Sequence, residues 1–284
     1  MRSLLADGAG FLLLMDCALF DSSAASRYAS CLTRIFVRNK ETSLSTSTPS
    51  TLQSAVIIGA GQGLGAAVAR LFAAHGLHVL LIGRTAAKLE RVAAEIRAAG
   101  GSADTFAADL KDETSLLPLL EMLRADKRTF DTMVFSAGEA FIKPFEEITV
   151  ADWDDVLNAN LRTAFVAAQA FLPLVRPSSN PSLFFVTSKV ALGGYGGVTA
   201  YTAAKTGLLG LARSLAAELR EEHIRVVALC PGPMDTPMRH NATPGMDANL
   251  LIQPQSVAQT LWLLANLPRG TTTSEILIQS DLYE

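Results

Sequence analysis

At 284 residues the chain is long enough for one large α/β domain, and a second full domain would leave both small. Hydrophobic residues make up 49% and charged residues 18%, which excludes a disordered chain. The net charge of −3 gives no electrostatic reason to expect nucleic acid or an anionic membrane, and no apolar run reaches the roughly 18 to 20 residues of a spanning helix.

The first fifty residues differ from the rest. A short apolar run at 11–15 is broken by Asp16; Arg27, Arg34, Arg38 and Lys40 follow, and a Ser/Thr stretch covers 42–51. Arg and Ser with few acids would suit a transit peptide, but Asp7, Asp16 and Asp21 argue against one. Residues 1–53 are read as a flexible extension or the product of an upstream start codon, with organellar import left open. Cys17, Cys31 and Cys230 form neither a CxxC pair nor an even set, so a reducing, cytoplasmic setting is the default.

From Ser54 onward strand and helix signals alternate. Residues 55–58 form an apolar run ending in glycines, as a buried parallel strand should. Helical spacing follows over 63–75, a strand over 78–82, and an Ala-rich helix over 86–99 closed by Gly100 and Gly101. Further strands are predicted at 103–107, 131–135, 183–186, 225–229 and 275–278. Helices are predicted at 113–123, 152–158, 161–175, 200–220 and 255–265. This alternation predicts βαβ units, hence a single Rossmann-like, doubly wound parallel sheet of about seven strands over 54–284, covered by helices on both faces.

The segment Gly59-Ala60-Gly61-Gln62-Gly63-Leu64-Gly65 leaves the first strand and opens the first helix. Glycines let a backbone turn sharply and approach a pyrophosphate, and a helix N-terminus offers free N–H groups. Two registers fit, GxxxGxG over 59–65 and GxGxxA over 61–66. A glycine-rich turn with no ligand is the competing reading. At the end of the second strand an acid would receive the ribose 2′-hydroxyl of NAD. Here stand Gly83 and Arg84, with no acid before Glu90. A guanidinium binds a 2′-phosphate that a carboxylate would repel, so NADP(H) is favoured. Lys88 adds charge or is simply exposed. Tyr201 and Lys205 are four apart on a predicted helix and share a face. That pair is weak alone; its value comes from Ser188 at the preceding strand end and Asn160 before that.

Together these residues resemble the short-chain dehydrogenase/reductase family over nearly all of 54–279. The resemblance settles the loop as Gly59-x-x-x-Gly63-Leu64-Gly65, with Gly61 and Gln62 inside it. It implies that Asp109, with Leu110 beside it, contacts adenine. It matches Ser136-Ala137-Gly138 to the tail of the family's Asn-Asn-Ala-Gly motif. Asn160, Ser188, Tyr201 and Lys205 match the catalytic tetrad, Ser188 standing thirteen residues before Tyr201. Pro231, Gly232, Met234 and Thr236 match the segment beside the nicotinamide, where Thr236 would contact the carboxamide. The resemblance implies hydride transfer between NADP(H) and a carbonyl or alcohol, most naturally reduction of a ketone, aldehyde or 3-oxoacyl group, in a homodimer or homotetramer. An alcohol dehydrogenase working oxidatively and a non-catalytic NADP-binding scaffold are the alternatives.

Three departures matter. Ile58 replaces a Thr that braces the loop. Phe135 and Ser136 replace the Asn pair, and Ser136 would tie neighbouring strands only partly. The chain lacks the family's Asp-Gly-Gly ending, which loosens any expectation about C-terminal packing between subunits.

In the implied chemistry Ser188 hydrogen-bonds the substrate oxygen, and Tyr201 protonates it. Lowering a Tyr pKa from near 10 to about 7 takes roughly 4 kcal/mol, which Lys205 and the oxidised nicotinamide would supply. Lys205 also binds the ribose hydroxyls, and Asn160 holds a water leading to solvent. The competing readings are packing for Tyr201, a strand-end cap for Ser188 and a local turn bond for Asn160. Tyr195 in the glycine loop 193–197 is expected to border the substrate. Residues 236–252, with Met234, Met238, Met246, Leu250 and Leu251, are expected to form the opposite, mostly apolar wall. His75, His78, His223 and His240 are not spaced as metal ligands, so no metal is expected. Trp153 and Trp262 read as packing residues, and the acidic run Asp152, Asp154, Asp155 as a helix N-terminal cap.

Overall fold

A computed structural model of the chain describes residues 52–282. Seven parallel strands form one sheet in the order β3-β2-β1-β4-β5-β6-β7. They are β1 (Ser54–Ile58), β2 (His78–Gly83), β3 (Ser102–Ala107), β4 (Thr132–Phe135), β5 (Ser182–Val186), β6 (Arg225–Pro231) and β7 (Glu275–Ile278). The helices are α1 (Gly63–Ala74), α2 (Ala86–Ala98), α3 (Leu117–Ala125), α4 (Val150–Leu157), α5 (Thr163–Val175), α6 (Thr199–Glu218), α7 (Pro237–Ala242) and α8 (Pro254–Ala265). The doubly wound architecture predicted from the sequence is the one observed.

Alternation along the strands divides the core. Ala55 and Ile57 of β1 pack with α1, α2 and α8 on one face, whereas Val56 and Ile58 pack with α3, α5 and α6 on the other. Both faces of each central strand are therefore apolar, which is why these segments read as continuous hydrophobic runs. The strand order reverses between β1 and β4, and a crevice opens there at the carboxyl ends of the strands, where open α/β sheets bind ligands.

Several boundaries move. The domain takes in residues before 54: Leu52 is buried in the core, and Asp131 Oδ2 accepts from Gln53 N at 2.7 Å and Ser54 N at 3.0 Å. The rest of the expected extension, with Cys17 and Cys31, lies outside the described residues. The predicted helix at 113–123 starts as a 3₁₀ turn (Glu113–Leu116) before α3. Of the acidic run, Asp152 shares the cap of α4 with Thr149 in a capping box, whereas Asp154 and Asp155 lie inside the helix. Trp262 packs on the core, stacking on His75 at 4.2 Å, and Trp153 packs beside Val156 and Ala200. No helix among the described residues is long and apolar enough to cross a membrane.

Candidate active site

The glycine loop sits at the carboxyl end of β1. Gly59 (φ +87°) and Gly63 (φ +55°) occupy left-handed backbone that other residues rarely adopt. Gly65 has a different reason: a Cβ there would lie 2.3 Å from the Gly59 carbonyl oxygen and 2.6 Å from Ser136 Oγ. Within the loop, backbone conformation or close approach thus favours glycine at 59, 63 and 65. Ser136 braces the loop more fully than expected. Its backbone N–H and its Oγ both donate to the Ile58 carbonyl, at 2.9 and 3.0 Å. That bond supplies from β4 the bracing that Ile58 cannot supply from its own side chain.

A cleft of about 230 Å³ runs along the strand ends. Its walls include Gly59, Gly61, Gln62, Gly63, Leu64, Gly65, Arg84, Asp109, Leu110, Ser136, Ala137, Gly138, Tyr201, Lys205, Met234 and Thr236. The sequence-predicted residues Asn160, Ser188, Tyr195, Pro231 and Gly232 do not line it. Asn160 lies behind Gly138, and Gly232 donates to the Ile278 carbonyl at the end of β7 at 2.8 Å. Tyr195 is about half exposed, with Lys189 Nζ 5.8 Å from its ring centroid.

The protein's groups fit the NADP(H) that the resemblance implies. Gln62 makes no side-chain cap and the first turn of α1 holds no acid, so amide N–H groups of a helix N-terminus face the cleft. The first turn of α2 likewise holds no acid, and Thr85 makes no side-chain cap. Arg84, Thr85 and Lys88 line that end of the cleft, a donor set suited to a phosphate. Lys88 is not merely exposed: its Nζ donates to Gln62 Oε1 at 2.8 Å. Asp109 Oδ1 accepts from Lys111 N at 3.1 Å.

At the opposite end, Gly138 brings two distant residues together. A Cβ on it would lie 2.6 Å from Asn160 Oδ1 and 3.2 Å from Lys205 Nζ. Asn160 is fully buried, on a π-helical turn (Asn158–Arg162) between α4 and α5. Such turns are frequent at functional sites because the extra residue redirects a side chain. Its Nδ2 donates to the Glu139 and Val156 carbonyls, both at 3.0 Å, and its Oδ1 accepts from Glu139 N at 3.1 Å. Lys205 Nζ donates to the Val186 carbonyl at 3.2 Å and lies 5.7 Å from the Tyr201 ring centroid. Ser188, at the end of β5, caps a 3₁₀ turn and accepts from Val190 N at 3.3 Å.

The electrostatics differ from expectation. Burial pushes the Tyr201 hydroxyl up to about 12, and a hydrogen bond with Ser188 and the nearby Arg239 charge offset it only in part. Burial likewise brings Lys205 down to about 8. The same desolvation that makes the site dry disfavours both charges, so without the oxidised nicotinamide the Tyr201 hydroxyl stays above its ordinary value.

The opposite wall also departs from expectation. A short helix, α7, stands in this wall where no element was predicted, with Thr236 as its N-cap accepting from Arg239 N at 3.3 Å. Thr236 points at the glycine loop, its Cγ2 lying 3.3 Å from where a Gly63 Cβ would be. Met238 lines the cleft, but Leu251 is buried in the core and Met246 Sδ accepts from Arg239 Nε at 3.2 Å. Sequence reasoning missed Arg239 and Glu139. The only signal for Glu139 was a charge directly after Gly138.

The family model for short chain dehydrogenases matches residues 53–247. A sepiapterin reductase of Chlorobaculum tepidum is 29% identical over 231 residues, 79% of this chain and 94% of its own length. A 3-oxoacyl-(acyl-carrier-protein) reductase of Thermotoga maritima is 28% identical over 230 residues, 78% of this chain and 94% of its own. Among solved structures, a short chain dehydrogenase from Shigella flexneri complexed with NADP is 28% identical, with a TM-score of 0.75 over 81% of this chain and 98% of its own. With the family model spanning most of the chain and the loop, Tyr201 and Lys205 gathered at one crevice, this protein belongs to the short chain dehydrogenase family.

Proposed function

We propose that this oxidoreductase uses NADPH to reduce a ketone, aldehyde or 3-oxoacyl group, with Tyr201 as the proton donor. The observation that carries the reading is the meeting of Asn160 and Lys205 around Gly138, with Tyr201 beside them at the mouth of the crevice. The reductases of Chlorobaculum and Thermotoga, and the NADP-bound Shigella structure, support it by likeness.

NADPH, when bound, supplies the hydride, and its oxidised form places a positive charge in the site. As the substrate carbonyl is reduced, negative charge builds on its oxygen. Ser188 Oγ donates a hydrogen bond to that oxygen and the Tyr201 hydroxyl passes its proton to it. Lys205 holds the ribose hydroxyls and favours the phenolate left behind. Asn160 fixes the backbone at Glu139 and holds Oδ1 beside Gly138, near Lys205, where a water can carry the proton onward. Arg84, Thr85 and Lys88 receive the 2′-phosphate. A hydroxyl held near 12 is a secure proton carrier but a reluctant donor at neutral pH. The positive charges gathered around it are therefore part of the mechanism, Arg239 among them.

The test is a turnover screen of aldehydes, ketones and 3-oxoacyl thioesters with NADPH and with NADH. Absence of any NADPH-dependent reduction across all three classes would overturn the reading.

A further inference from the structure

Glu139 follows Gly138 directly, and its carboxylate reaches across the cleft. Oε1 lies 2.6 Å from Arg84 Nη1 and Oε2 lies 4.0 Å from Lys111 Nζ. Arg84 projects from the end of β2 and Glu139 from the end of β4, and β1 lies between those strands. The ion pair therefore spans the carboxyl end of β1, over the crevice that the glycine loop opens. The backbone of Glu139 has little freedom to retreat, because the buried Asn160 amide grips both its N–H and its carbonyl. The pair itself is about half exposed, so it is worth little and breaks readily.

We propose that Glu139 sets cofactor preference by competing with the 2′-phosphate of NADP(H) for Arg84. This rests on the reading of Arg84 as the phosphate-binding residue. A phosphate offers more charge and more acceptor oxygens than a carboxylate, so it takes the guanidinium. The exchange leaves Glu139 paired with Lys111 alone and lowers the net gain from the phosphate. NADH has no phosphate to offer and leaves the Arg84–Glu139 pair as it is. Glu139 thus tempers the preference for NADPH and eases cofactor release.

The experiment is fluorescence titration of the full chain with NADPH and NADH, for wild type, Glu139→Gln, Glu139→Ala, Arg84→Ala and the Arg84→Ala/Glu139→Gln double variant. Both Glu139 variants are expected to tighten NADPH about two- to fivefold, the range of an exposed ion pair, and to change NADH by less than about twofold. In the Arg84→Ala background the tightening should shrink. Unchanged or weaker NADPH binding in both Glu139 variants, or equal tightening of the two cofactors, overturns the competition. A wild type that binds NADH as tightly as NADPH overturns the assignment of Arg84 and this inference with it. A wild type that prefers NADPH, with Glu139 variants that do not raise the preference, overturns this inference alone.

Discussion

The Lys205 ammonium lies 5.7 Å from the Tyr201 ring centroid and, among the described residues, donates its hydrogen bond to the Val186 carbonyl rather than to the phenol. Burial makes the site dry enough to raise one group and lower the other. Tyr201→Phe keeps the ring and its packing but removes the ionisable hydroxyl. NADPH should still bind, and reduction should fall by at least about 10²-fold, the loss typical of a positioned proton donor. Near-normal turnover in that variant, with every active substrate, would refute the mechanism and leave the fold intact.

The ionisation of Tyr201 can be read directly as the ultraviolet difference between wild type and Tyr201→Phe. In the protein by itself it should lie near 12. NADP⁺ should move it to lower pH by adding positive charge to a low-dielectric site, and NADPH, without that charge on its ring, should move it less. Equal shifts with both forms would show that the nicotinamide charge does not reach the phenol.

Lys205 makes the site costly to fold. Its value falls from the ordinary 10.5 to about 8 through burial. Between these values the unfolded chain holds a proton that the folded protein has released, so stability should rise as pH goes from about 8 towards 10.5. Tyr201 has the opposite effect from pH 10 upward, because the unfolded phenol ionises first and stability falls. The clean window is therefore pH 8 to 10, where urea unfolding should show a gain of at most about 3 kcal/mol. Lys205→Met should abolish that rise, bind cofactor poorly, and melt no lower than wild type at neutral pH. A lower melting temperature would show that the ammonium stabilises the fold.

Much of this was legible because two periods, one for strands and one for helices, alternate along the chain. The continuous run at β1 is buried on both faces, and β7 was placed to the residue. The glycine register was not fixed by spacing alone, since 59–65 and 61–66 both fit. What separates them is the close approach of Gly65 to the Gly59 carbonyl, a three-dimensional fact. At Asn160 the sequence showed only a break between the helices predicted at 152–158 and 161–175, and the π-helical form of that turn depends on its backbone hydrogen bonds. Glu139 and Arg84 are far apart in sequence and meet only because β1 separates β2 from β4.

Arg84→Ala should weaken NADPH by about tenfold, the equivalent of one charge-assisted hydrogen bond to a partly exposed partner, and barely affect NADH. Lys88→Ala should have the smaller effect, since an ammonium cannot hold a phosphate bidentately as the Arg84 guanidinium can. Isothermal titration at two salt concentrations checks both, because the Arg84 contribution should fade as salt rises. A larger loss with Lys88→Ala would reassign the phosphate to α2.

Two helical glycines should respond to alanine in opposite ways. Replacing a mid-helix Gly by Ala normally stabilises by about 1 kcal/mol, because it removes backbone freedom from the unfolded chain. Gly210, in α6, is exposed and has nothing within 4 Å of a Cβ, so Gly210→Ala should show most of that gain. Gly65, in the first turn of α1, would receive at most that propensity gain. There the new methyl must fit 2.3 Å from the Gly59 carbonyl oxygen, a backbone atom that cannot swing aside. Overpacking of that kind costs about 1–3 kcal/mol or more and outweighs the propensity term. Gly65→Ala should therefore be less stable to urea and, because relief requires the 59–65 loop to shift, should also lose most of its affinity for NADPH. A Gly65→Ala variant as stable as Gly210→Ala, with cofactor binding unchanged, would mean that the loop is not held against the helix in solution.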